Sequence, residues 1–326
     1  MHGRVTSRPL DGQPAGPAPW TTPAEVADLR ALVDCRLSAL VAPQDTAPVS
    51  LNNAIRHALL APGKRVRPLL AMLTAAEFGL DPLTALDAGC AVELVHTASL
   101  VLDDLPCMDD ASTRRGLPAT HAAYGEATAL LAAITMLSRA FGVLSQMENV
   151  PPATRLALVN ILSRASGTDG LAAGQERDLK ERAPSDSLAK IDAINDQKTG
   201  ALFIAAIEMG GQIASVDATR LSALSVLGRE VGLAFQTLDD LIDLSRSSSE
   251  AGKDTGKDTG KATVATVMGQ DAARAEVSRH AAIALAAIAP FTARDGPLHS
   301  FVAAMLGEAT VGAERHIAAA MKRDSL

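Results

Sequence analysis

From Pro23 almost to the C-terminus, apolar residues recur at three- and four-residue spacing. Leu29, Leu32, Val33, Leu37 and Leu40 show it, and so do Leu202, Ala205, Ala206 and Met209. That is the period of a helix with one apolar stripe. The pattern is broken at Pro62-Gly63, Asp81-Pro82, Gly116 to Pro118, Pro151-Pro152, Pro184 and the stretch 246–261, where proline or glycine interrupts a regular backbone. No alternation of apolar and polar residues is long enough for a useful strand, which removes Rossmann and barrel architectures. Residues 1–23 carry Pro9, Pro14, Pro17, Pro19 and Pro23 without any period and read as a disordered tail. No shift in composition divides the remainder. The expectation is an all-α, single-domain bundle of long helices over residues 24–326. The only short repeat is Gly252-Lys253-Asp254-Thr255, which recurs once and is followed by Gly260-Lys261.

Composition narrows the function. Hydrophobic residues make up 48% of the chain but aromatics only 2%, so bases would find few stacking platforms. The net charge of −7 lacks the basic footprint of a nucleic-acid binder. An anionic ligand would therefore need a local basic cluster or bound metal ions. Cys35, Cys90 and Cys107 form no CxxC pair and read as free thiols in a reducing compartment. The N-terminus shows no secretory signal, and no stretch approaches about 18 uncharged apolar residues. A soluble, cytoplasmic protein without a membrane anchor is expected.

Two carboxylate clusters stand out. Asp103-Asp104-Leu-Pro-Cys-Met-Asp109-Asp110 ends the apolar run that starts at Cys90. Helical spacing puts His96 and Asp103 on one face, with Ser99 one turn below Asp103. Pro106 disfavours continued helix, so Asp109 can turn back beside the Asp pair. In Gln236-Thr-Leu-Asp239-Asp240-Leu-Ile-Asp243, Asp239 and Asp243 are four apart and Gln236 shares their face. Like charges at that spacing repel, so a cation is expected, and Mg²⁺ suits all-oxygen ligands shared with phosphates. One such pair would read as a solvated helix end; two, each beside an apolar face, read as a site.

Basic clusters accompany them. In Gly63-Lys64-Arg65-Val-Arg67-Pro68, Lys64 and Arg67 are expected on one helical face, and arginine supplies a fork for phosphate oxygens. Arg114-Arg115-Gly116 follows the first Asp cluster. Lys198-Thr199-Gly200 is expected to open an apolar helix, offering an ammonium, a hydroxyl and N-terminal amides. Lys253, Lys257 and Lys261 lie on a glycine-rich stretch. Basic and acidic clusters in alternation read as a diphosphate-plus-metal site. Nothing arranges a Ser-His or Cys-His nucleophile, and Cys107 reads as a filler between ligands.

The residues from about Leu51 to Gly269 carry a resemblance. GKRVRP, the helix from His96 into DDLPCMDD, RRG with Tyr124-Gly125-Glu126, GLAAGQERDL, KTGALF, FQTLDDLID and the GKD…GKAT stretch occur in this order. The chain thereby resembles the trans-type polyprenyl diphosphate synthases, and most of all the bacterial carotenoid-pathway geranylgeranyl diphosphate synthases. The resemblance implies the isoprenoid synthase fold, a helical bundle around a deep apolar prenyl cavity, usually homodimeric. It implies that Asp103, Asp104, Asp109, Asp239 and Asp243 bind a group of about three Mg²⁺ ions together with an allylic diphosphate. Arg114, Lys198, Thr199, Gln236, Lys253 and Lys261 would hold that diphosphate, with Lys257 leaving open which loop lysine reaches it. Lys64, Arg67, His96 and Arg115 would hold isopentenyl diphosphate. Asp103, Asp104, Asp109, Lys198, Asp239 and Asp240 would carry catalysis.

The implied reaction is Mg-dependent head-to-tail condensation of isopentenyl diphosphate with dimethylallyl, geranyl or farnesyl diphosphate. Departures from the pattern are Leu102 in place of a common His, Ala133-Ile134 in place of Gly-Asp, and Pro62-Gly63 in place of Gly-Gly; none removes a charged ligand. In the similar bacterial farnesyl diphosphate synthases an aromatic residue sits five positions before the first Asp. Here Ala98 and Ser99 stand five and four before it. A helical turn of about 5.4 Å is comparable to one isoprene unit, so small residues there favour geranylgeranyl diphosphate. A farnesyl diphosphate synthase is the alternative. A class I terpene cyclase is more remote, because cyclases stabilise their cations with aromatic walls.

Overall fold

The computed structural model describes residues 20–43, 46–181, 183, 187–245 and 262–307; Lys253, Lys257 and Lys261 lie outside them. The fold is all-α. Helix α1 (Pro23–Leu40) starts at Thr22, whose hydroxyl caps Glu25 while the Glu25 carboxylate answers the Thr22 amide, a reciprocal cap that fixes the first turn. Pro23 is thus the first helical residue, and Trp20 packs on the core. Leu29, Val33, Leu37 and Leu40 are buried as expected, but Leu32 is exposed: the real stripe is narrower than the sequence pattern.

Helices α2 (Val49–Leu59), α3 (Val66–Glu77), α4 (Leu86–Asp103), α5 (Thr120–Tyr124), α6 (Glu126–Ser145), α7 (Pro152–Ser166), α8 (Leu171–Lys180), α9 (Leu188–Asn195), α10 (Ala201–Ile213) and α11 (Ala218–Ser245) follow. After them come α12 (Val264–Met268), α13 (Gln270–Ile288) and α14 (Pro297–Gly307). A 3₁₀ turn, Pro82–Ala85, leads into α4, with the Asp81 carboxylate accepting from the Leu83 amide. The expected helix breaks at 62–63 and 116–118 fall between helices, and those at 81–82 and 151–152 end on the first residue of one; Pro184 and 246–261 lie outside the described residues.

Helix α4 lies against α3 and α6, α10 against α3 and α11, and α11 against α13. Two apolar clusters result: one joins α1, α4, α6 and α7 to α10, the other joins α10, α11 and α13. Phe203, on α10, is the largest fully buried side chain. Helices α3 and α10 touch at Gly210, where a Cβ would stand 2.4 Å from the Ala71 carbonyl oxygen.

One feature departs from the sequence reading. A short hairpin, β1 (Thr113–Arg114) and β2 (Leu117–Pro118), pairs antiparallel. Its two turn residues, Arg115 and Gly116, have φ of 54° and 77°, the positive pair that a tight two-residue hairpin turn needs. Pro82–Asp103 and Glu126–Ser145 are long and apolar enough to cross a membrane by length and composition, but Asp87 and Glu93 interrupt the first and Arg139 the second. The first is mostly buried as a core helix. Helix α6 leaves Leu130, Leu131 and Ile134 exposed.

Candidate active site

A pocket of about 550 Å³ opens where α3, α4, α8, α10, α11 and the hairpin converge. The end of α4 forms one wall. After Asp103 the chain folds back: the Asp109 amide donates to the Asp103 carbonyl at 2.9 Å, and the Ala111 amide to the Asp104 carbonyl at 3.1 Å. Asp109 therefore stands beside Asp103 on the pocket wall, as Pro106 led the sequence to predict, with His96 and Ser99 on the same face of α4. Burial raises the Asp103 carboxyl to about 6, and Asp109 pushes the same way while Lys198 and Arg114 oppose. Asp104 is placed differently. It turns off the wall to Arg114, whose Nε and Nη2 donate to it at 3.0 and 2.5 Å.

The opposite wall is α11, which presents Gln236, Asp239 and Asp243 with Phe235 and Ile242. Asp240 points elsewhere and is buried. It accepts from Gln236 Nε2 at 3.0 Å, while Gln236 Oε1 accepts from the Thr199 hydroxyl at 2.7 Å. That relay fixes which end of the Gln236 amide faces which partner. Among the described residues no three His, Cys, Asp or Glu side chains form a ready-made metal cage. Four carboxylates spread over facing walls instead suit a hard cation that completes its shell with ligand oxygens and water. A divalent cation at Asp103 and Asp109 would also reverse the push that holds the Asp103 carboxyl near 6.

The cations line the rest. Lys64 lies on the loop before α3 and is exposed, so it does not share a helical face with Arg67; both nonetheless reach the pocket. Arg65 is the reason. It takes a left-handed backbone conformation (φ 51°) and sends its side chain inward. Arg67 follows in the first turn of α3, buried, its guanidinium 4.4 Å from the centre of the Phe203 ring. Burial lowers Arg67 to about 10, against the pull of Glu93. His96 is held well below its ordinary value by burial and by Arg67 and Arg115, so its imidazole is neutral and offers one N–H donor. The hairpin turn aims Arg115 into the pocket, with Arg114 beside it.

Lys198 and Thr199 are not at a helix start. Helix α9, a π turn at Asp196–Gly200 and α10 run on without a break, so the free N-terminal amides expected there do not exist. The wide π turn, a local geometry common at functional sites, carries Lys198 to the pocket. Helix α8 abuts that turn at Gly174, where a Cβ would lie 2.3 Å from the Lys198 nitrogen. One turn on, Asp178 Oδ2 lies 2.6 Å from Lys198 Nζ. Burial alone would lower the Lys198 ammonium, but Asp178 and Asp103 outweigh it and its pKa is raised.

Leu100, Leu171, Leu202, Phe235 and Ile242 supply the apolar wall. Ser99 belongs to it, its hydroxyl donating to the His96 carbonyl at 2.8 Å. Ala98 does not: it is fully buried in the core. Two carboxylates that the sequence reading passed over belong to the site, Glu93 on the wall and Asp178 behind Lys198.

The polyprenyl synthetase family profile matches residues 48–288. The geranylgeranyl diphosphate synthase of Pseudescherichia vulneris is 39% identical over 274 residues, covering 83% of this chain and 87% of its own. That of Pantoea ananas is 41% identical over 260 residues, covering 78% and 84%. The structure of an FPP/GFPP synthase from Zymomonas mobilis superposes with a TM-score of 0.77 at 32% identity, over 87% of this chain and 98% of that one. A geranyltransferase of Helicobacter pylori, complexed with magnesium and isoprenyl diphosphate, gives a TM-score of 0.80 at 25% identity, covering 92% and 100%. With both aspartate clusters and the basic residues lining one pocket, and with this extent of likeness, the chain belongs to the polyprenyl synthetase family and is a prenyltransferase that elongates prenyl chains by condensation with isopentenyl diphosphate.

Proposed function

We propose that this enzyme makes geranylgeranyl diphosphate in one pocket that holds two diphosphates. The observation that carries the reading is that Asp103 and Asp109 line one pocket with Asp239 and Asp243, together with Lys64, Arg67, Arg114, Arg115 and Lys198. Lys64, Arg67, His96 and Arg115 hold isopentenyl diphosphate; Lys198, Thr199, Gln236 and Arg114 hold the allylic diphosphate. Asp103, Asp109, Asp239 and Asp243, with Asp104 close behind, would hold Mg²⁺, which when bound would supply positive charge against the leaving diphosphate. Lys198 and Arg114 add to that charge. The allylic C–O bond ionises, the isopentenyl double bond attacks the resulting cation, and the departed diphosphate takes the proton released. Neutral His96 donates a hydrogen bond without adding a second titrating cation. The apolar wall from Leu100 to Leu202 excludes water from the cation.

Ser99 on the wall, with no aromatic near it on α4, supports a chain longer than farnesyl, as do the geranylgeranyl-forming relatives. The exposed apolar face of α6 (Leu130, Leu131 and Ile134) fits a second copy of the chain, and three free cysteines fit a cytoplasmic homodimer. Incubation with Mg²⁺, isopentenyl diphosphate and primers of several lengths tests the reading. Geranylgeranyl diphosphate is the expected product; no condensation with any primer would refute it, and cyclic hydrocarbon would point to a cyclase.

A further inference from the structure

Arg65 sits inside the basic motif yet behaves unlike its neighbours. Its Nε donates to Asp34 at 2.8 Å, its Nη1 to Glu93 at 2.9 Å, and its Nη2 to the Leu59 and Ala61 carbonyls at 2.9 Å each. Four of the guanidinium's five donors are thus spent on protein groups, and its side chain is only 2% exposed. Glu93, one turn before His96 on α4, has a side chain equally shielded at 3%. Its Oε1 also faces Arg115 Nη2 at 4.0 Å, and its charge pulls on Arg67. A Cβ on Gly63 would touch the guanidinium groups of both Arg65 and Arg115 at 3.3 Å, so the loop is threaded between them. Arg67 Nε, by contrast, has no acceptor among the described residues.

A buried ion pair is a poor device for stability, since desolvation consumes most of its attraction. This one does something else: it ties the loop carrying Lys64 and the start of α3 to the face of α4 that carries His96. Asp34 and Glu93 offset only part of the charge of Lys64, Arg65, Arg67 and Arg115, so a surplus of positive charge remains for an anion.

We infer that Arg65 and Glu93 are positioning residues for the isopentenyl diphosphate end of the pocket, a buried pair that aims Lys64, Arg67 and Arg115 without touching substrate. The inference rests on the assignment of that end made above. It is specific to one substrate, which a purely structural role would not be. Initial rates for Arg65→Gln, Glu93→Gln and the double variant are measured with each substrate varied against saturating partner, and thermal unfolding is recorded alongside. Each single change is expected to raise KM for isopentenyl diphosphate roughly tenfold while KM for farnesyl diphosphate moves less than about twofold. The double variant is expected to fall well short of the product of the two, as for residues acting as one unit. Glu93→Asp, which retracts the carboxylate but keeps its charge, is the milder form should Arg65→Gln not fold, and is expected to show the same one-sided rise. Parallel rises in both KM values, or an unchanged KM for isopentenyl diphosphate in folded variants, would overturn the inference. A wild-type enzyme inactive in the same assay would instead refute the function itself.

Discussion

Lys198 Nζ lies 2.6 Å from Asp178 Oδ2, and the pair joins two helices that share the pocket. Both this buried carboxylate and Asp103 raise the pKa of the ammonium against its burial. Asp178→Asn should leave the helices intact, release Lys198 from its fixed place and lower kcat/KM for the allylic substrate by roughly tenfold. Lys198→Ala should cost more, because it removes the charge as well as its orientation. Steady-state kinetics with circular dichroism on both variants check the order.

The Asp103 carboxyl, raised to about 6 by burial, sets a pH dependence. Its folded-state value exceeds that of the unfolded chain, so the folded protein binds the extra proton. This group therefore makes the metal-free enzyme more stable as pH falls from about 7 through 6, an effect complete below the unfolded value near 3.9. Asp103→Asn should raise the metal-free Tm at pH 7 and flatten its dependence between pH 7 and 5. In the wild type Mg²⁺ must displace that proton, so the Mg²⁺ concentration giving half-maximal activity should climb as pH drops below about 6. Thermal melts and Mg²⁺ titrations over pH 5 to 8 read both effects.

Ser99 is on the pocket wall and Ala98 is in the core, and the two should separate cleanly. Ser99→Phe is expected to shift the product toward farnesyl diphosphate with little loss of stability. Ala98→Tyr must be accommodated among fully buried neighbours and should cost about 1–3 kcal/mol of stability through overpacking. Product chromatography with thermal melts decides. An unchanged product distribution in Ser99→Phe would place the length limit on another helix.

Helix α6 exposes Ile134 at 60% and Leu131 at 54%, and the assembly prediction rests on that face. If two copies pair through this face as proposed, light scattering should find the wild type dimeric and Leu131→Glu and Ile134→Glu monomeric but folded, because neither side chain belongs to the core.

The parts of this protein legible in its sequence are those that depend on neighbours within a turn or two. The buried stripe of α1, the return of Asp109 after Pro106, and the common face of Asp239 and Asp243 follow from helical period and proline alone. What lay beyond reach depended on how helices meet. Asp178 and Lys198 are twenty residues apart, and only the close packing allowed by Gly174 brings them together. Ala98 and Ser99 differ by one position, about 100° around a helix, and only the packing of α4 against α6 shows which one faces the pocket. The π turn at Lys198 could not be read as anything but a helix start from Lys-Thr-Gly. Glu93 was nearer to hand: three residues before His96 on the same face, it could have been found from spacing.

The central claim is that the two carboxylate walls act together on one diphosphate. Incorporation of labelled isopentenyl diphosphate into prenyl product, with farnesyl diphosphate and Mg²⁺, tests it in the wild type, Asp103→Ala and Asp239→Ala. The wild type should turn over and lose activity reversibly with a chelator. Each variant should fall by about a thousandfold or more while keeping its helical circular dichroism. A folded variant lacking either wall that still turns over near the wild-type rate would contradict the account.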